Sequence, residues 1–279
     1  MNIKFFVVYH KAIHEHVYDE HSLEHIRFFA VNENIEKEPI TISSDVIHEK
    51  DLPIYMPEYQ TRGYSETSAA CHIYRNNLHS KLDYVGFGQY DQQIKGDVFD
   101  VFEQNQHPEN IFYFDKRKID HDNKQVPYDY LIDHYNKHFD TSITFDELKQ
   151  NPRTEESLIL QATFIISKNK FDRLMSWIEP LARDIYPWAN LPPWPMHHPH
   201  LGGVMERAYG LFLAIELLLN DTAKLIKLPI RSPYHFKIQK HRGKSVALKS
   251  VMDKYNLKDD EMYKLRDINH QPPNNDQDK

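Results

Sequence analysis

A chain of 279 residues carrying a net charge of -7 and no large basic block can bury a substantial core and is poorly suited to nucleic acid as its main partner. Its one cysteine, Cys71, excludes an internal disulfide and a thiolate zinc site and points to a reducing compartment. Only 8 glycines are present, and neither G-x-G-x-x-G nor G-x-x-x-x-G-K-[ST] occurs, so a nucleotide would have to be held by side chains or a metal.

In chain order, residues 3–10 read as a buried strand, β-branched and aromatic. Its apolar run is too short for the core of a secretory signal and lacks a small-residue cleavage site, so no leader is expected. A second strand is predicted over 26–31, and 39–57 is expected to be irregular, broken by Pro39, Pro53 and Pro57. The spacing of Ala69, Ala70, Ile73 and Leu78 predicts a helix over 64–78, with Ser65 as its N-cap. Strands are predicted over 84–89 and 110–114, and helices over 128–139 and 145–150, the second capped by Thr144.

Residues 158–167 (LILQATFIIS) read as one strand, followed by a helix over 170–178 with Phe171, Leu174, Met175 and Ile178 on one face. A proline- and tryptophan-rich loop follows at 187–199, then a long apolar helix over 204–220. The longest apolar stretch, 209–219, contains Glu216 and is too short to span a bilayer, so membrane contact is expected to be peripheral at most. The polar tail 269–279 is expected to be disordered. Alternating strands and helices imply an α/β fold with a mostly parallel sheet, in which ligands sit beyond the carboxyl ends of the strands.

The segment DYVGFGQYDQQI, residues 83–94, begins as a strand and then presents Gln89, Tyr90 and Asp91. If the extended geometry continues, Gln89 and Asp91 face the same way, a pairing that suits a Mg²⁺-type ion shared with a diphosphate. A polar turn in which Asp91 accepts backbone hydrogen bonds fits the same spacing.

Residues 64–91 resemble the DUF4422 group of glycosyltransferases, whose pattern runs roughly Y-x-E-x-T-x-x-x-x-[YW]-x-x-x-N and then D-Y-[VI]-G-[LF]-x-x-Y. Tyr64, Glu66, Tyr74, Asn77, Asp83, Tyr84, Val85, Gly86, Phe87 and Tyr90 hold the matching positions, and the expected threonine is displaced to Thr67. ATFIISKNKFDRLMSW, at 162–177, and residues 207–216 resemble two later blocks of the group, in the same order. The resemblance implies a GT-A-like single domain over 1–268, with a nucleotide-sugar half at 1–115 and an acceptor half at 116–268. Such folds usually place D-x-D where this chain has Gln89-Tyr90-Asp91, and group members often carry His-Tyr-Arg-Arg there, so the chain departs from both patterns.

The activity implied is transfer of a sugar from a nucleotide-diphosphate donor, UDP by analogy, to a hydroxyl of a glycan acceptor. Asp91 and Gln89 with His198 (or His197 or His200) would hold a divalent cation, Mn²⁺ or Mg²⁺; alternatively, cationic side chains such as Arg62 and Arg75 would neutralise the diphosphate. Arg75 also suits a solvated helix arginine, and the HHPH run an exposed loop.

Tyr9 and His10 are expected at the nucleotide base, with Tyr64, Glu66 and Tyr90 completing the donor site, although Tyr9 equally suits strand packing. Glu206 is the first choice of general base, placed in the first turn of the long helix after a Gly202–Gly203 turn, where it would also complement the helix dipole. Asp184 and Glu66 are the reserves. Trp188 and Trp194 are expected to form an acceptor platform, with His198, His200, Gly202 and Gly203 beside it. With no leader or anchor expected, the site of action is expected to be cytoplasmic. Two other classes compete: a histidine-rich metallohydrolase, for which no H-E-x-x-H occurs, and a glycan-binding protein that keeps the fold without catalysis.

Overall fold

The computed structural model describes residues 2–10, 17–31, 46–60, 64–90, 92–119, 128–159, 162–186 and 201–231. All of them belong to one compact unit, Met1–Arg231. The predicted tail, the loop 187–199 and Asp91 lie outside the described residues.

The centre is a seven-stranded sheet. In chain order its strands are β1 (Ile3–Tyr9), β2 (Ile26–Ala30), β3 (Val46–His48), β4 (Tyr84–Gln89), β5 (Ile111–Tyr113), β8 (Phe164–Ser167) and β9 (Leu225–Lys227). They lie in the order β3-β2-β1-β4-β8-β5-β9. Only β8 runs against the others, pairing antiparallel with both β4 and β5, while β1 is parallel to both β2 and β4. A separate two-stranded ribbon joins β6 (Lys116–Arg117) to β7 (Leu158–Ile159). The fold class is as the sequence implies: α/β, with a mostly parallel sheet flanked by helices.

Burial on both faces explains the near-continuous apolar strands. Phe5, Val7 and Tyr9 of β1 pack with Phe28, Tyr84, Phe99 and Phe102 on one face, while Phe6 and Val8 pack with Phe29, Val85, Phe87 and Phe164 on the other. The first face is covered by α1 (Glu20–His25) and α3 (Gly96–Gln104). The second is covered by α2 (Ser65–Arg75), α6 (Lys168–Ile185) and α7 (Leu201–Leu219), with α4 (Tyr128–Phe139) and α5 (Phe145–Gln150) outside them.

Glycine in β4 follows from this packing. A Cβ on Gly86 would lie 2.4 Å from the Phe5 ring, and one on Gly88 would lie 2.5 Å from it.

Several expectations are corrected. The helix expected over 64–78 ends at Arg75, because Asn77 turns left-handed at φ 53° and the amides of Asn77 and Leu78 bond back to Tyr74 and Ile73. Its N-cap is Tyr64 rather than Ser65, with no side-chain bond. By contrast, Thr144 does cap α5, in a reciprocal pair with Glu147.

The single strand expected over 158–167 is two strands in different sheets, parted where Ala162 takes φ 47°. The helix expected to stop at 178 runs on to Ile185 through Pro180, since Leu181, Ala182 and Ile185 are buried and that burial offsets the lost hydrogen bond. The elements α1, α3, β3, β6 and β9 were not expected. Asp19 starts α1 in a capping box with Ser22 and also accepts from the Gly96 amide at 3.1 Å, tying α1 to the start of α3.

Candidate functional site

Six of the seven strands point the same way, so the carboxyl ends of β1, β4, β5 and β9 share one edge, and β8 enters the sheet there. The first turn of α2 meets the same edge. The Gln89 side-chain amide donates to Glu66 Oε1 at 3.0 Å, joining the end of β4 to α2. Because Nε2 is spent on Glu66, the carbonyl oxygen of the amide is turned away from that carboxylate.

The chain then turns tightly, with the Gln92 amide donating to the Gln89 carbonyl at 3.1 Å. The Gln92 side chain folds back into the interior, accepting from the Gln89 backbone N–H at 2.9 Å and donating to Thr163 Oγ at 2.8 Å. Beyond the turn, Gln93 forms an antiparallel bridge with Arg231, whose side chain is exposed.

His10 and Tyr90 pack edge to face at 5.1 Å, so the ends of β1 and β4 present two rings side by side. Tyr9 is buried in the core, the strand packing it equally suits, and burial pushes its hydroxyl pKa up to about 12. Tyr64 is likewise fully buried, donating to the Ala182 carbonyl at 2.7 Å, so it braces α2 against α6 and is closed to a donor.

Arg75 is not brought to Gln89. It sits at the other end of α2, bonded to the buried Glu179, which Arg183 also holds at 2.8 Å.

The N-terminal half of α7 reaches the same side of the molecule. Tyr209 is buried beside Thr67 and near Glu66, and burial raises its hydroxyl pKa well above the usual range. Glu206 lies three residues earlier, on the same helical face. It pairs with Arg207 at 2.8 Å. Gly202 and Gly203 lie within the helix rather than in a turn before it, so Glu206 falls in the second turn and the expected first-turn placement is corrected.

Asp184, at the end of α6, accepts from His134 Nε2 at 3.1 Å, because Trp177 donates to the other ring nitrogen at 2.9 Å and fixes the tautomer. Arg62, Asp91, Trp188, Trp194, His197, His198 and His200 lie outside the described residues. Among the described residues, no group of three or more His, Cys, Asp or Glu is placed to hold a metal, and no helix is long and apolar enough to cross a membrane.

The comparisons bear on this arrangement through fold. A solved structure of the WbbM bifunctional glycosyltransferase in its apo form superposes with a TM-score of 0.54 at 14% identity, over 82% of this chain and 45% of that one. The fold is glycosyltransferase-like. The chain thus spans less than half the length of that neighbour. No family model matches the chain and no curated protein matches it, so the DUF4422 resemblance rests on the sequence blocks quoted above.

Sequence reasoning passed over Gln92, Thr163 and Arg231. Gln92 lies within the quoted segment, one residue past Asp91, but nothing near it in the chain reveals its partner 71 residues away.

Proposed function

We propose that this chain is a glycosyltransferase, akin to the DUF4422 group, that moves a sugar from a nucleotide-diphosphate donor to a hydroxyl of a glycan acceptor. A UDP-sugar such as UDP-xylose, UDP-glucose or UDP-galactose is the first choice of donor, and the cytoplasm the proposed site of action. The observation that carries the reading is the glycosyltransferase-like fold with Gln89, Glu66 and the His10–Tyr90 pair gathered at one carboxyl edge. The donor diphosphate docks over that edge, against Gln89 and the turn that follows it.

A divalent ion, where one is used, would take Asp91, the Gln89 carbonyl oxygen and His198, and would neutralise charge on the departing diphosphate. Glu206, oriented by Arg207, takes the proton of the acceptor hydroxyl and makes the transfer inverting. Trp188 and Trp194 offer apolar faces to the acceptor sugar.

The test is a thermal-shift screen of nucleotide sugars with and without Mn²⁺, followed by measurement of nucleotide release with the best donor. The expected result is stabilisation by at least one donor, turnover with a glycan acceptor, and loss of turnover with retained donor binding in Glu206→Gln. Stabilisation by glycans alone, with no donor bound and no nucleotide released, would replace the enzyme with a binding protein.

A further inference from the structure

Four observations converge just behind Gln89. The side chain of Gln92 is fully buried, as is that of Thr163. The Gln89 N–H at 2.9 Å requires the Gln92 oxygen on its side, which directs Nε2 to Thr163 Oγ at 2.8 Å; Thr163 Oγ also lies 3.1 Å from Gln92 Oε1. The amide passes so close over Gly88 that a Cβ there would come within 3.0 Å of the Gln92 oxygen. Finally, Ala162, next to Thr163, holds a left-handed φ of 47°, a conformation an alanine keeps only when its surroundings enforce it.

The β4–β8 ladder ends at Phe87 and Phe164. Past that point Gln92 fills the space between the diverging chains. The Thr163 carbonyl meanwhile accepts from the Phe114 amide at 3.4 Å, linking the same point to β5. A buried neutral amide satisfied on both its ends is rigid, because releasing either end strands a polar group away from water.

We propose that Gln92 and Thr163 are positioning residues that hold Gln89 in place at the end of β4 and thereby set its affinity for the diphosphate of a nucleotide donor. The inference rests on the glycosyltransferase reading only in naming the diphosphate as the ligand. The two residues act through Gln89 and touch no substrate themselves. They therefore govern the phosphate part of the ligand and leave the nucleoside part alone.

The experiment measures calorimetric binding of UDP, GDP, dTDP and ADP to the full chain, then compares the tightest with its parent nucleoside in three variants. Thr163→Val keeps the shape and removes the hydroxyl, Thr163→Ser restores the hydroxyl, and Gln92→Met removes the amide independently. The dissociation constant for the diphosphate is expected to rise about tenfold in Thr163→Val and in Gln92→Met, the scale of a buried donor left without its acceptor. Nucleoside binding stays unchanged, and Thr163→Ser returns the diphosphate constant to near the parent value. Diphosphate and nucleoside weakening together, or neither weakening in whichever of the two deletion variants folds, overturns the inference. Failure of the parent chain to bind any of the four nucleotides overturns the glycosyltransferase reading and this inference with it.

Discussion

At the amino edge of the sheet, Lys170 is buried between Glu109 and Glu216, Arg173 reaches Glu216 at 3.2 Å, and Asn220 donates to Glu109 at 2.7 Å. Behind the carboxyl end of β4 the buried polar groups are neutral, an amide at Gln92 and a hydroxyl at Thr163, and the half-buried Gln89 and Glu66 stand in front of them. The first region uses paired charges to fasten α6 and α7 to the start of β5. The second avoids buried net charge and leaves its polar atoms facing the edge. Buried charges hold only when matched, so a region built from them is a structural clamp. A satisfied neutral network can instead back a surface that must still receive a charged ligand.

Breaking the clamp should be the most costly change. Lys170→Met removes the cation between two carboxylates and is expected to cost about 3–5 kcal/mol of unfolding free energy, read from urea denaturation, with no selective effect on nucleotide affinity beyond that loss. Next comes the strand that carries the carboxyl edge. Gly86→Ala drives a methyl into the Phe5 ring and is expected to cost about 1–3 kcal/mol in the same measurement. A smaller change sharpens the contrast from the other side. Gln89→Ala should leave the melting temperature within a degree or so of the parent, as surface changes usually do, while weakening binding of the donor diphosphate about tenfold, the loss of roughly one charge-assisted hydrogen bond.

The smallest expected effect is the clamp's own share of the pH dependence of stability. The hydrogen bond from Lys170 holds the Glu109 carboxyl below its ordinary value of 4.5, outweighing the burial that raises it. A folded pKa below the unfolded one means the stabilisation is complete above 4.5 and is lost as pH falls through the folded value. Melting temperature should therefore decline on acidification below 4.5, and Glu109→Gln should flatten that decline. A variant that titrates like the parent would remove Glu109 from the clamp.

Much of the sheet was legible because a strand buried on both faces reads as a near-continuous apolar run, which β1 shows from Phe5 to Tyr9 and β4 from Tyr84 to Gly88. Tyr84–Gln89 and both α4 and α5 fall where their patterns place them. The elements passed over are short. β9 has three residues and is half exposed, and α3 hides its periodicity in two phenylalanines and a valine that suit either element. The break between β7 and β8 was illegible for a different reason. LILQATFIIS is apolar throughout its strand segments, and only the separate destinations of its two ends force Ala162 into a left-handed turn.

Gln89 stood out in the sequence because a strand that ends abruptly on polar groups is unusual in its own right. Residue type alone cannot tell an aromatic ring or guanidinium facing a cleft from one packed in the core, as Tyr9 is, or bonded to Ala182 or Glu179, as Tyr64 and Arg75 are.

What the chain's own order of residues determined, then, is the longer strands β1, β2 and β4, the helix caps at Thr144 and Asp19, and the polar finish of β4, since each depends on neighbours within a few positions. The tertiary structure alone decided that Glu66 would meet Gln89 from 23 residues away, and that Thr163 would meet Gln92 from 71. Those contacts exist because parallel strands and their crossover helices return distant segments to one edge, a consequence of how the layers pack rather than of any local preference.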